Sequence, residues 1–177
     1  MDKKELRKKI RELKRAMTEE QIVSASQRLG ELFLASDYYK NAKTIYGYLP
    51  YNQEVRTVPM LEQAMKDGKR VAVPKCYGDE MRFIYMDDLS LVENGYANIP
   101  EPIADGPVAD DKTALVLMPG MAFTKNGDRM GYGGGFYDKF LASEPDHPTL
   151  ALCYDFQMVE SLPTEEYDIP VDCVLWA

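Results

Sequence analysis

A guanidinium, a glycine-rich turn, a phenol and a carboxylate follow one another along one connection of this chain: Arg129, then Gly131, Gly133, Gly134 and Gly135, then Tyr137 and Asp138. The chain has twelve glycines, and four stand within those five positions. Glycine lets backbone amides approach a ligand closely, and amides at a helix start, aided by the helix dipole, suit a phosphate. The spacing is neither G-x-x-x-x-G-K-[ST] nor G-x-G-x-x-G, so the P-loop and dinucleotide fingerprints both fail. On their own the glycines serve a tight structural turn equally well, and Asp138 is then simply an acid placed favourably near a helix N-terminus.

Other chemistry-bearing residues are few. The single histidine, His147, lies between Asp146 and Pro148 in an expected surface loop and is given no role; one imidazole builds no histidine-rich metal site. Cys76, Cys153 and Cys173 are odd in number, far apart and without a C-x-x-C pair. They are expected to be small core residues in a reducing compartment, with neither a disulfide framework nor a thiolate metal site.

The 177 residues carry 21 Lys plus Arg against 29 Asp plus Glu, a net charge of −8. Residues 1–16 hold eight basic and three acidic residues, so this segment is at +5 and the remaining 161 residues at −13. So acidic a body repels nucleic acid, and no nucleic-acid partner is expected. A basic helix on it can instead reach a small polyphosphate, or be only a solvated face. No apolar run approaches the roughly 18 residues of a membrane span, and charge persists through Arg15 where a signal peptide would be apolar. A cytoplasmic protein without membrane partners is expected.

The elements that must hold these groups follow from periodicity and punctuation. Leu6, Ile10 and Leu13 give the basic helix one docking side. Thr18 with Gln21 forms a capping box for a helix over 19–35, whose buried face is predicted at Ile22, Leu29, Leu32 and Phe33. Strands are predicted over 44–49, 70–73 ending at Pro74, 81–86, 114–118, 149–153 and 171–175, with helices around 58–65 and from Phe136. The region 93–111, with Pro100, Pro102 and Pro107, is expected to be loop. Apolar strands alternating with helices imply one α/β domain over 1–177, in three layers around a mainly parallel sheet.

Taken whole, the string Met118 to Lys139 is far more specific than its glycines. It resembles the signature of the 5-formyltetrahydrofolate cyclo-ligase family, also called methenyltetrahydrofolate synthetase, which reads approximately P-G-x-A-F-D-x-x-G-x-R-L-G-x-G-x-G-Y-Y-D-R. Lys3-Lys4-Glu5-Leu6-Arg7 is similar to that family's K-x-x-x-R opening, Leu49 to Thr57 to its E-x-x-T segment with the acid at Glu54, and Asp168 to Asp172 to its closing D-x-P-V-D. The resemblance implies a fold akin to that of sugar-phosphate isomerases and CoA transferases. It further implies ATP- and Mg²⁺-dependent conversion of 5-formyltetrahydrofolate to 5,10-methenyltetrahydrofolate.

Residue by residue, the resemblance puts Lys3, Lys4 and Arg7 on ATP, together with Arg129, Gly131, Tyr132, Gly133, Gly134, Gly135, Phe136 and Tyr137. Arg129 and Tyr137 would be catalytic, Asp138 and Asp172 would carry Mg²⁺, and Leu49, Glu54 and the stretch from Tyr132 to Phe136 would face the folate. Read without the family, Glu54 is a solvated loop acid and Asp172 an ordinary strand-end residue. The chain departs from the pattern at Thr124, Tyr132, Gly134, Phe136, Lys139 and Tyr167; Tyr132 and Gly134 stand where basic residues are common. The expected partner is a reduced folate, with or without a polyglutamate tail, and monomer and homodimer stay open. Two other readings remain: an ATP-independent enzyme of the isomerase and CoA-transferase fold, and a nucleotide- or RNA-binding module built on the basic helix.

Overall fold

A computed structural model describes residues 1–177. Helix α1 (Lys3–Arg15) begins at a reciprocal cap: the Asp2 carboxylate accepts from the Glu5 amide at 2.8 Å, and Glu5 accepts from the Asp2 amide at 3.3 Å. Helix α2 (Glu19–Ala35) starts with the box of Thr18 and Gln21 that its sequence predicts. Then come α3 (Asp37–Asn41), β1 (Thr44–Tyr46), α4 (Val58–Lys66), β2 (Arg70–Tyr77) and β3 (Glu80–Tyr85). A ribbon of β4 (Val92–Asn94) and β5 (Pro100–Pro102) precedes β6 (Leu115–Met118), and a ribbon of β7 (Ala122–Phe123) and β8 (Arg129–Met130) follows it. Helix α5 (Phe136–Ser143), β9 (Thr149–Cys153) and β10 (Cys173–Trp176) complete the chain.

The main sheet has the order β10-β9-β6-β1-β2-β3, and only β3 runs antiparallel to its neighbour. Its side chains alternate between two cores. Ile45, Val71, Leu115, Leu117 and Leu150 face α2 and α4, meeting Leu29, Phe33 and Leu61. Tyr46, Ala72, Val116, Met118 and Ala151 face the other way, toward Leu141 of α5. A strand covered on both faces must be apolar at every position, which is why these strands read as continuous runs. Leu29, Leu61, Leu115, Leu117 and Leu150 have no exposed surface. Each contributes roughly 1.5–3 kcal/mol on burial, whereas an exposed ion pair such as Lys139 with Asp79 contributes about 0–1 kcal/mol. Burial therefore holds the layers. A third, smaller cluster seats Leu6 and Ile10 of α1 on Ala122 and Met130 of the β7–β8 ribbon and on Met121 just before it. No helix is long and apolar enough to cross a membrane.

Several elements differ from their sequence expectation. Strand β2 runs through Pro74 to Tyr77. The Met86 amide bonds to the Val71 carbonyl and the Gly47 amide to the Ala72 carbonyl, so even-numbered β2 residues turn away from β3. The missing N–H of Pro74 thus points beyond the end of β1, where it breaks no ladder bond. The expected loop over 93–111 contains most of the β4–β5 ribbon, with Pro100 and Pro102 in a two-stranded edge. Leu13 and Leu32 are exposed, and the last buried place on α1 belongs to Lys14. His147 lies in the loop between α5 and β9 but is buried, with Nδ1 2.7 Å from the Ala114 carbonyl and Nε2 2.9 Å from Glu144, so the ring is a structural pin and not a surface group. Cys153 is buried as expected, but Cys76 and Cys173 are half-buried.

Candidate active site

The carboxyl ends of β1, β2 and β6 open into one cleft of about 410 Å³, where open α/β sheets commonly hold ligands. One wall is the glycine-rich connection. From Met118 the chain forms the β7–β8 ribbon, whose turn is closed by Thr124: its hydroxyl and amide bond to the amide and carbonyl of Asp128 at 3.1 and 3.0 Å. Threonine therefore closes this turn where an aspartate was the pattern. The ribbon delivers Arg129 to the cleft, and Gly131 to Gly135 then lead into α5. Gly135 precedes the first helical residue at φ +68°, a conformation that costs a side-chain-bearing residue about 1–3 kcal/mol. A Cβ at Gly131 would lie 2.9 Å from Arg129 Nη1, so the guanidinium and the backbone can approach this closely only at glycine.

The amides of Gly131 to Gly135 find no hydrogen-bond partner within the chain, and the start of α5 adds its dipole to them. Arg129 is anchored rather than free. Its Nη1 donates to the Pro119 carbonyl at 2.9 Å, its Nη2 lies 3.5 Å from Asp138 Oδ2, and its buried Nε has no partner. Asp138 also accepts from the Ile169 amide at 3.2 Å. Tyr137 packs edge-on to Phe83, and burial raises its phenol well above the ordinary value, so it stays protonated as a donor. Phe136 meets Tyr96 of the β4–β5 ribbon edge-to-face at 5.2 Å.

Helix α1 forms a second wall. Lys3 and Arg7 share one side, four residues apart, and line the cleft. Arg7 Nε donates to the Gly131 carbonyl at 3.2 Å, joining the helix to the glycine connection.

The third wall is the segment between β1 and α4. The Thr57 hydroxyl donates to the Tyr48 carbonyl and the Tyr154 hydroxyl to the Gln53 carbonyl, each at 2.6 Å. These bonds fix a turn that presents Leu49 and Glu54. Glu54 Oε1 accepts from the Tyr51 amide at 2.8 Å, and Oε2 accepts from the Tyr132 hydroxyl at 2.9 Å. Burial pushes this carboxyl above the ordinary range, opposed by Lys14 and by both hydrogen bonds.

The candidates from the sequence converge here with two exceptions. Lys4 is exposed on the other side of α1 and does not line the cleft. Asp172 is at the opposite end of the sheet, where its carboxylate accepts from the Thr149 amide and its amide donates to Thr149 Oγ1, each at 2.9 Å. It therefore does not stand beside Asp138. No group of three or more His, Cys, Asp or Glu side chains is assembled anywhere. Sequence reasoning missed Tyr96, Glu101 and Asp168, which line the cleft from outside the glycine connection. Lys14 is not part of the cleft lining; it takes the buried place after Leu6 and Ile10 on α1.

The model of the 5-formyltetrahydrofolate cyclo-ligase family matches residues 1–177. The 5-formyltetrahydrofolate cyclo-ligase of Escherichia coli K12 is 34% identical, the match covering 94% of this chain and 95% of that one. The protein of that name from Mus musculus is 29% identical, over 98% of this chain and 93% of that one. Among solved structures, the 5,10-methenyltetrahydrofolate synthetase of Aquifex aeolicus superposes with a TM-score of 0.86 at 29% identity, covering 99% of this chain and 90% of that one.

Proposed function

Because the chain belongs to the 5-formyltetrahydrofolate cyclo-ligase family, we propose that it closes 5-formyltetrahydrofolate to 5,10-methenyltetrahydrofolate at the expense of ATP. The observation that carries this reading is the row of unpartnered amides from Gly131 to Gly135, set before α5 and beside Lys3 and Arg7, in the cleft that also holds Glu54. Amides left free by the chain's own hydrogen bonding, a helix start and two cations fit a triphosphate. They give no advantage to an uncharged ligand. The buried, unpartnered Nε of Arg129 adds a donor on the same wall.

Magnesium fits with one protein carboxylate. The ion takes one or two carboxylates and completes its shell with substrate phosphates and water. Asp138 supplies such an oxygen within the cleft, and Asp172 does not reach it. When bound, the ion would neutralise charge on the phosphates.

The chemistry follows from a difficulty in the substrate. A formyl group on nitrogen is amide-like, and ring closure must expel its oxygen, for which hydroxide is a poor leaving group. In our reading the formyl oxygen attacks the γ-phosphorus in line and ADP leaves, with the glycine amides and Arg129 stabilising the phosphoryl charge. The lone pair of N10 then attacks the activated carbon, the N10 proton is lost, and the carbon–oxygen bond breaks to release inorganic phosphate. Glu54 accepts donors from the folate, Leu49 and Phe136 give it apolar contact, and Tyr137 donates a hydrogen bond. The protein supplies position and charge, and no side chain acts as a covalent nucleophile. Purified protein given 5-formyltetrahydrofolate and Mg²⁺ should generate methenyl-folate absorbance only when ATP is added. ATP-independent turnover, or none with ATP, would overturn the reading.

A further inference from the structure

The stripe that docks α1 ends in a charge. Its buried positions are Leu6, Ile10 and Lys14, and Lys14 is only 8% exposed where another leucine would continue the pattern. An ammonium withdrawn from water without a direct counter-ion is costly, and no carboxylate comes within ion-pair distance of this one. Its contact is Tyr132: Nζ lies 3.5 Å from the hydroxyl and 5.7 Å from the ring centroid. That hydroxyl donates its proton to Glu54 Oε2 at 2.9 Å and so turns a lone pair toward the ammonium. The three groups form a line from the helix through the glycine connection to the carboxylate.

We infer that Lys14 is a positioning residue for the folate side of the site: through the Tyr132 hydroxyl it supplies the positive charge that holds the Glu54 carboxylate oriented to receive donors from the reduced folate. This rests on Glu54 being the folate-side carboxylate. The surroundings of Glu54 leave this task to Lys14. Tyr48 after β1, Tyr137 of α5 and Tyr154 after β9 face the carboxylate as phenols that burial keeps neutral, and Tyr132 meets it as a hydrogen-bond donor. Arg56, two residues along, is turned to Glu19 at 2.9 Å. Burial raises Glu54 and lowers Lys14, and each of the two opposes the shift of the other, as partners in charge would. The glycine connection carries no cation of its own between Gly131 and Gly135, so the charge arrives from α1. One helix thus presents Lys3 and Arg7 to the phosphate side and Lys14 to the folate side.

The test compares Lys14→Met, Lys14→Arg, Tyr132→Phe, Glu54→Gln and the double variant Lys14→Met with Glu54→Gln, by steady-state kinetics in both substrates across pH and by thermal melting. Lys14→Met and Tyr132→Phe should each raise the KM for 5-formyltetrahydrofolate about tenfold with little change in the KM for ATP, and Lys14→Arg should restore most of the loss. Without the lysine charge, the acid limb of folate affinity should move to higher pH, which a purely structural lysine would not cause. The double variant should be no worse than Glu54→Gln alone. Full additivity overturns the inference, as does a normal folate KM in Lys14→Met and Tyr132→Phe when Glu54→Gln is impaired. A normal folate KM in Glu54→Gln itself removes the assignment of Glu54, and the inference falls with it. Should Lys14→Met fail to fold, Tyr132→Phe, whose residue is half exposed, carries the same comparison.

Discussion

Replacing Asp138 by asparagine separates the two jobs that its position allows. The amide side chain keeps an acceptor for the Ile169 amide, which lies 3.2 Å from the carboxylate, but brings an NH₂ group toward Arg129 Nη2, 3.5 Å away. The side chains are 7% and 20% exposed for Arg129 and Asp138. Removing one partner of a fully buried pair costs about 3–5 kcal/mol. Here Arg129 retains its bond to the Pro119 carbonyl and Asp138 keeps some water, so a loss of about 1–2 kcal/mol is expected. At about 2–4 °C per kcal/mol for a domain of this size, Tm should fall by about 2–8 °C. If the carboxylate also gives magnesium a hard anionic oxygen, kcat/KM should fall about 100-fold or more, and the Mg²⁺ concentration for half-maximal rate should rise. Melting curves and methenyl-folate formation at graded Mg²⁺ measure both. A lowered Tm with unchanged kcat/KM and Mg²⁺ dependence would show that Asp138 serves only the ion pair, and the metal assignment would be refuted.

Three further expectations follow from particular contacts. Glu54 is raised above the ordinary carboxylate range by burial, so its charged form is full above that raised value and is lost as pH falls through it; folate KM should climb on the acid side, and Glu54→Gln should abolish that limb. Arg7→Met, which removes the bond to the Gly131 carbonyl without unseating Leu6 or Ile10, should raise the KM for ATP roughly tenfold and leave that for folate nearly unchanged in the same assay. His147→Ala deletes a buried ring beside Tyr46 and Phe140 and both of its hydrogen bonds, so denaturant melts should show a loss of about 3 kcal/mol while kcat and KM stay normal well below Tm.

Periodicity exposed most of the scaffold and the linear motif most of the site, for different reasons. Strands buried on both faces have unbroken apolar runs, so β6 and β9 were legible, and Thr18 with Gln21 announced α2. Pro74 hid the second half of β2, because a missing N–H matters only where a neighbouring strand would have accepted it. The Arg129 to Asp138 stretch was visible because one connection contributes the whole wall. What the sequence concealed depends on register and on helix phase. Lys4 is adjacent to Lys3, but one residue turns about 100° around a helix, which carries it from the cleft to solvent. Asp172 sits in a motif like its neighbour Asp168, yet pairing of Cys173 with Leu150 sets it at the amino end of β9 while Asp168 lines the cleft. Lys14 looked like one more basic residue of a charged helix; only its phase with Leu6 and Ile10 distinguishes it.

In the proposed reaction ATP activates the formyl oxygen itself. Hydroxide is a strong base and leaves poorly, whereas inorganic phosphate is a far weaker base and leaves readily. The direct measurement is the fate of ¹⁸O placed in the formyl group of 5-formyltetrahydrofolate during turnover with unlabelled ATP. The label should appear in inorganic phosphate, one atom for each ATP consumed. Label found in water while the phosphate remains unlabelled would contradict this activation.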